Sequence, residues 1–394
     1  NFLIMAYQKL RELEFEVVKM IYDNRELQMI GVKNIVHINQ FYGIEYEEFP
    51  VEIAKVSMIL IKHLMDQKIS NYFGFNIIDF PIRENANIIN TNALRIDWNE
   101  LIDAKELDYI IGNPPFVGAR LMNSEQNSDI NLVFNGIKNI GNLDYVSAWY
   151  AKSAKMIKGN KDLRVAFVST NSICQGEQVS ILWKYILEDN FCKIDFAYRT
   201  FKWSNDAKYK AAVYCVIIGF SSMKKRIDKK IIYENDGTFQ EVQNINGYLV
   251  DAGNVYIESR RKPLCDVQEI GMGNQPIDDG NYLFTKEEME KFIKEEPQSK
   301  KYFMEWYGAR EFINNNPRYC LYLGDLKPSN IRTMPLVMER VENVREFRLK
   351  STRKNTLKIA NTPTKFQTTN ISKSNYLLIP RVTSENRKYI PIGF

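Results

Sequence analysis

The run Asp108-Tyr109-Ile110-Ile111-Gly112-Asn113-Pro114-Pro115-Phe116 constrains the fold more than any other stretch of the 394-residue chain. Its first residues suit one short buried strand. The two prolines then fix two backbone angles and remove two amide donors, so the strand cannot continue. The strand must give way to a stiff turn that carries a side-chain amide, free backbone carbonyls and an aromatic ring at its carboxyl end.

The surrounding pattern alternates strands with helices. Leu3, Tyr7, Leu10, Leu13, Val17 and Ile21 recur at helical spacing and predict a helix over 3–29. A short strand is expected near His37, leading to Gly43-Ile44-Glu45. Pro50 opens a helix through Leu64 with Ile53, Val56, Ile59 and Leu60 on its buried face. Strands are expected over 87–96 and 108–111, then a polar loop over 118–131 and an amphipathic helix over 143–158. Val165 to Thr170 reads as a strand, Gln175 to Leu187 as a helix, and 193–196 and 211–220 as strands. This order implies an α/β domain with a mostly parallel sheet covered on both faces. Near residue 225 the alternation stops. Lys224-Lys225-Arg226 and Lys229-Lys230 read as an exposed connector, and short strands and charged helices come after it. We therefore expect three parts: 1–225, a connector over 226–270, and a second domain over 271–394.

Composition narrows the function. No apolar stretch approaches the roughly 18 residues a membrane helix needs, and residues 1–20 lack signal-peptide features. Five scattered cysteines and two histidines argue for a reducing, cytoplasmic setting and against a zinc site. The net charge of +5 is uneven: residues 331–358 hold eight basic residues against three acids. Arg340, Arg345, Arg348, Lys350, Arg353 and Lys354 are candidates for binding nucleic-acid phosphates. Glu/Arg pairing on a solvated helix explains the same pattern equally well.

In a parallel α/β sheet, ligands sit at the carboxyl ends of the strands. Glu45 ends one strand, where a carboxylate can accept both hydroxyls of a ribose. Asn92 lies beyond the next, where an amide can meet an adenine ring. Asn113 comes directly after the third. The Asn113 side-chain carbonyl and the Pro114 backbone carbonyl can together bind both protons of one amino group. That draws the nitrogen lone pair out of conjugation and makes it nucleophilic. Phe116 offers a flat face for a base. A plain strand-terminating turn would use the same residues.

Gly112-Asn113-Pro114-Pro115-Phe116 resembles the catalytic motif of class I adenine-amino DNA methyltransferases. Asn1-Phe2-Leu3 looks like the tail of their glycine-rich cofactor loop, Ile44-Glu45 like their ribose-binding acid, and Thr91-Asn92-Ala93-Leu94 like their adenine-contacting segment, where Asp is usual. Thr200-Phe201-Lys202-Trp203 falls where the family places an aromatic that sandwiches a flipped base. Gly273-Asn274-Gln275-Pro276, Tyr307-Gly308-Ala309-Arg310-Glu311-Phe312, Arg318-Tyr319-Cys320-Leu321 and Ile379-Pro380-Arg381-Val382-Thr383-Ser384-Glu385 are similar to MmeI-type restriction-modification methyltransferases.

The resemblance implies a Rossmann-like catalytic domain followed by a mixed α+β target-recognition domain. It implies S-adenosylmethionine as cofactor, held by Phe2, Glu45, Tyr46, Asn92 and Asn113. Asn113, Pro114, Pro115 and Phe116 would act on adenine in duplex DNA, with Phe116, Phe201 and Trp203 stacking on the flipped base. No metal is expected. A nuclease domain is expected upstream on the same polypeptide, and the chain reads as cut at its N-terminus and again at its C-terminus. Because the family's central first strand would precede Asn1, a gap is expected between the Glu45 and Asn113 strands. RNA or protein-glutamine methylation, and a non-catalytic DNA-binding remnant, are the competing readings.

Overall fold

The computed structural model describes residues 1–22, 35–73, 85–203, 213–227, 229–260, 262–267, 270–371, 375–384 and 387–394. The chain divides into two compact units, residues 1–261 and 262–394.

The first unit begins with α1 (Phe2–Tyr22), β1 (Tyr42–Glu45), α2 (Glu48–Phe73) and β2 (Asn87–Asn90). β1 and β2 pair in parallel, Tyr42 opposite Asn87 through Glu45 opposite Asn90. Gly43 lets α1 pack closely here: a Cβ would lie 3.1 Å from Leu3 Cδ1 and 3.3 Å from Ile88, so those side chains would have to shift. α1 and α2 are tied by the fully buried Arg11, which donates to Asp66 at 2.7 Å while Lys62 reaches the same carboxylate at 3.1 Å.

A separate six-stranded sheet runs in the order β3-β4-β6-β5-β7-β8. Its strands are β3 (Tyr109–Gly112), β4 (Arg164–Thr170), β5 (Cys192–Trp203), β6 (Val213–Ser222), β7 (Lys230–Tyr233) and β8 (Phe239–Val242). β3 pairs with β4 in parallel, and β6 lies antiparallel between β4 and β5. β3, β4 and β5 therefore point the same way, and their carboxyl ends share one edge. α3 (Ser124–Val133), α4 (Ser147–Gly159) and the short α5 (Gly176–Gln178) complete this unit, with α5 continued by wider turns over Val179–Trp183 and Tyr185–Asp189. The core joins Val165, Phe167, Val216, Ile218 and Phe220 of the sheet to Tyr150, Ala151 and Ala154 of α4. The Tyr150 ring stacks on Phe220 at 5.4 Å, and its hydroxyl meets Ser169 Oγ at 2.7 Å.

Several expectations need correction. The chain near His37 forms a 3-10 turn, Ile38–Gln40, and the strand starts only at Tyr42. On α2 the buried apolar residues are Val51, Met58, Met65 and Ile69, whereas Ile53, Val56 and Leu60 are exposed. The helix is apolar on nearly every side, so periodicity could not choose its face. The stretch read as a loop over 118–131 contains α3. The strand over 87–96 ends at Asn90. The exposed connector is in fact structured: β7 and β8 extend the sheet, and β7 pairs with β5 in parallel. The six described pairings of this unit are half parallel and half antiparallel, because β6 and β8 both run against the general direction. Among the described residues β1–β2 share no ladder with the six-stranded sheet. Residues 23–29 of the first predicted helix and 211–212 of the last predicted strand lie outside the described residues. Among the described residues no helix is long and apolar enough to cross a membrane.

The second unit is α+β. A three-stranded antiparallel sheet has the order β10-β11-β9, from β9 (Leu283–Phe284), β10 (Phe303–Trp306) and β11 (Arg318–Leu321). Around it lie α6 (Lys286–Glu295), α7 (Ala309–Asn314), α8 (Pro328–Ile331), α9 (Pro335–Leu349) and α10 (Lys354–Ile359). α9 turns Val337, Val341 and Val344 into a core with Tyr282, Phe284 and Leu321. Glu296 accepts from the Leu336 and Val337 amides at 3.2 and 2.9 Å, satisfying donors that the start of α9 cannot pair internally.

Candidate active site and recognition surface

The turn after β3 is built as its sequence requires. Pro114 is buried and Phe116 half-buried, while Asn113 is exposed and its amide bonds to none of the described residues. Gly112 pairs with Phe167, so Asn113 leaves the ladder just where β4 still runs on toward Thr170. Thr170 is opposite Cys215, which is opposite Phe201. Asn113, Thr170 and Phe201 therefore all belong to the carboxyl edge of the sheet. Phe201 and Trp203 have ring centroids 6.3 Å apart, and Trp203 is substantially exposed.

The stretch after the turn is held by Asp144, a buried carboxylate. Its Oδ1 accepts from the Ala119 amide at 2.9 Å. Its Oδ2 accepts from Thr170 Oγ1 at 3.3 Å and from Ser172 Oγ. The next residue, Tyr145, donates its backbone N–H to Val117 O at 2.9 Å.

β1 and β2 supply the other cluster. Glu45 sits exposed at the end of β1 and accepts from the Tyr46 amide at 2.7 Å. Asn90 donates to the carbonyls of Glu45 and Tyr46 at 3.3 and 2.8 Å, which fixes this strand end. Phe2 starts α1, whose Leu3 packs on Gly43 of β1. Leu3, the residue after Phe2, thus packs on β1 two residues before Glu45.

Asn92 is engaged differently from the expectation. Its amide donates to Asp129 at 3.1 Å, and its carbonyl accepts from the Leu94 amide at 2.9 Å. Asp129, on α3, is buried and also accepts from Arg95 Nε and the Tyr145 hydroxyl, each at 2.7 Å. Burial alone would raise the Asp129 pKa, but these three donors outweigh it and hold the carboxyl below its usual range. The Tyr145 hydroxyl is correspondingly pushed up by burial and by the adjacent carboxylate. Sequence reading missed Asp129 and Asp144, although Asn123 and Gln126 have the spacing of a capping box and do cap α3.

In the second unit the six basic candidates separate. Arg345, Lys350, Arg353 and Lys354 are exposed. Arg345 lies 3.4 Å from Glu342 and Lys350 3.9 Å from Glu346, so the helix-face pairing is also real. Arg340 places its guanidinium 5.1 Å from the Phe284 ring centre. Arg348 is the correction. It is fully buried and donates to the carbonyls of Pro276, Ile277, Ile359, Thr362 and Lys365 at 2.7–3.1 Å. It fastens loops and cannot meet a phosphate. Arg353 and Lys354 line an open depression of about 1130 Å³ together with Asn274, Pro276, Asp279 and Ser351. Among the described residues no three His, Cys, Asp or Glu side chains are grouped to hold a metal.

An α/β domain with an Asn-Pro-Pro-Phe turn at its sheet edge, followed by a separate α+β unit, defines a methyltransferase domain joined to a recognition domain. Residues 1–234 match the family model of the MmeI DNA-methyltransferase domain, and residues 251–394 match that of the MmeI target recognition domain. The chain belongs to the MmeI family of restriction-modification proteins. It is 40% identical over 398 residues to DNA methyltransferase A of Bacillus subtilis (strain 168), covering 100% of this chain and 44% of the relative. It is also similar to the solved structure of the Type IIL restriction-modification enzyme MmeI in complex with DNA. There the identity is 46% and the TM-score 0.88, covering 100% of this chain and 53% of the other. The chain thus spans about half the length of these relatives.

Proposed function

We propose that this chain carries the methyl-transfer and target-reading parts of a restriction-modification protein that methylates the exocyclic amino group of adenine in duplex DNA. S-adenosylmethionine, when bound, supplies the methyl group. The observation that carries this reading is the exposed Asn113 amide, on a stiff turn and bonded to none of the described residues, at the edge where β4 and β5 also end.

The residues divide the work. Asn113 Oδ1 and the Pro114 carbonyl accept the two amino protons and leave the nitrogen lone pair directed at the methyl donor. Phe116 gives the base a face to stack on, with Phe201 or Trp203 opposite. Stacking of about 1–3 kcal/mol per base offsets part of the few kcal/mol that flipping costs. Glu45 presents a carboxylate to ribose hydroxyls, and Phe2 and Tyr46 flank it. The Asn92 carbonyl retains one lone pair beyond the Leu94 amide for the cofactor's adenine. Arg345, Lys350, Arg353 and Lys354 neutralise phosphates, and Arg340 adds positive charge beside them. The match to a target recognition domain favours duplex DNA over RNA or a protein amide as substrate. The setting is the cytoplasm, with a nuclease elsewhere on the same polypeptide.

The test is methyl transfer from labelled S-adenosylmethionine to duplex DNA, RNA and protein by the full-length polypeptide. Asn113→Ala is expected to lower transfer to DNA by at least about 100-fold, the scale of removing one preorganised polar group at a reacting centre, with DNA binding retained. Transfer at near wild-type rate by that variant, or transfer only to RNA or protein, removes the reading.

A further inference from the structure

Asp144 and Tyr145 are consecutive, buried, and bonded in different directions. Through Asp144 the chain grips Ala119, behind the catalytic turn, and Thr170 and Ser172, at the end of β4. Through the Tyr145 backbone it grips Val117. Through the Tyr145 hydroxyl it reaches Asp129 at 2.7 Å, and Asp129 in turn holds the Asn92 amide at 3.1 Å. The position of the dipeptide is itself fixed: the Asp144 amide donates to Gln178 Oε1 at 3.0 Å, and its carbonyl accepts from Ser147 Oγ at 2.6 Å. One peptide bond therefore joins the support of the turn to the support of the Asn92 segment. Among the described residues no strand ladder does this, because β1–β2 and the six-stranded sheet are separate.

We propose that Asp144, Tyr145 and Asp129 form a brace that sets the catalytic turn and the cofactor-facing Asn92 segment in one geometry, each acting as a positioning residue. The proposal rests on the methyl-transfer reading of the site. It assigns different tasks to the two ends. Asp144 fixes the backbone just beyond Phe116, so its loss is felt in the methyl-transfer step. Tyr145 and Asp129 fix the orientation of the Asn92 amide: Nδ2 is bound to the carboxylate, and Oδ1, which accepts from the Leu94 amide, keeps one lone pair for the cofactor. Loss of the hydroxyl removes one of the donors that hold the Asp129 carboxylate in place and so loosens the support of the amide, which is felt in cofactor binding.

The experiment uses the full-length polypeptide and measures two quantities: the Kd for S-adenosylmethionine by titration, and the single-turnover rate of transfer to duplex DNA at saturating cofactor. Removing one hydrogen bond to a buried charge is worth on the order of a tenfold change. Tyr145→Phe is expected to raise the Kd about tenfold, with a much smaller effect on rate. Asp144→Asn is expected to slow transfer about tenfold, with a much smaller effect on Kd. Ser172→Ala, which removes one donor from Asp144 and endangers folding least, is expected to resemble Asp144→Asn in direction at smaller size.

The brace is overturned if the variants lose both quantities in equal proportion alongside their thermal midpoint, which is a merely structural role. It is equally overturned if all three keep wild-type values. When Asn113→Ala abolishes transfer while the three variants behave as wild type, the functional reading stands and only the brace falls. When Asn113→Ala transfers normally, the functional reading falls, and the Tyr145→Phe titration still decides the cofactor end of the brace.

Discussion

Ions of opposite charge tie down loops in the two units, although the second unit also holds the start of α9 with the buried Glu296. In the first, Asp129 and Asp144 are buried carboxylates that collect N–H and O–H donors from side chains and backbone. In the second, Arg348 is a buried guanidinium that collects only backbone carbonyls. The difference reflects what each place has to spare. The carboxyl edge of a sheet is rich in hydroxyls and free amides. The ends of α9 and α10 and the turns beside them are rich in unpaired carbonyls. A charge of the complementary sign satisfies each set. Asp129 bonds the candidate residue Asn92, and Asp144 the stretch after the Asn113–Phe116 turn, whereas the guanidinium bonds loop carbonyls alone.

The sharpest way to break this comparison is Arg348→Met. Each buried carbonyl left without a partner costs about 1–3 kcal/mol, so a loss of at least about 3 kcal/mol is expected. Hydrogen exchange should report it in residues 262–394 while the cofactor Kd of the full-length polypeptide stays at its wild-type value. A change in cofactor affinity without loss of protection would mean that Arg348 serves the site after all.

Asp195 sharpens the comparison from within the first unit. It is buried like Asp129 but has a single hydroxyl donor, Ser221 Oγ at 3.0 Å. Burial therefore wins over that bond and the nearby Lys193 and Arg164, and its carboxyl is pushed up to about 6. The folded protein then holds this proton more tightly than the unfolded chain does. The stability it confers is present below about pH 4 and is lost as the pH rises to about 6. Asp195→Asn is expected to stabilise the protein by roughly 1–2 kcal/mol above pH 6 and by little at pH 4, in denaturant unfolding. An equal effect at both pH values would show that donor count is not what separates Asp195 from Asp129.

The smallest stability effect belongs to the exposed cations. Arg345→Ala should alter stability by less than about 0.5 kcal/mol, as expected of an exposed pair. It should weaken DNA binding and reduce the slope of log affinity against log salt by about 1. An unchanged salt slope would leave Arg345 as a helix-face partner of Glu342.

Much of the candidate site's backbone was legible because it is local. The Asn113–Phe116 turn is dictated by two prolines, and Glu45 by a strand that ends where polarity begins. The features that sequence could not reveal depend on partners distant in the chain. Asp129 lies 34 to 37 residues from Arg95 and Asn92, and its helix is too polar to announce itself by periodicity. Arg348 looked like its neighbours on α9, yet it continues the inward face of Val337, Val341 and Val344. Charge counting treats every cation as solvated, and only helical phase distinguishes the buried one. β7 and β8 were hidden by the lysines at 224–230, which mark the rim of the sheet and not its end.

The manner in which Arg348 is bonded bears on how such a unit can change. All five of its acceptors are main-chain oxygens, a group that every amino acid carries. The fastening is blind to residue type at positions 276, 277, 359, 362 and 365. Substitutions there leave the hydrogen bonds of the anchor in place. A unit fastened in this way can vary its side chains at those positions without losing the fastening.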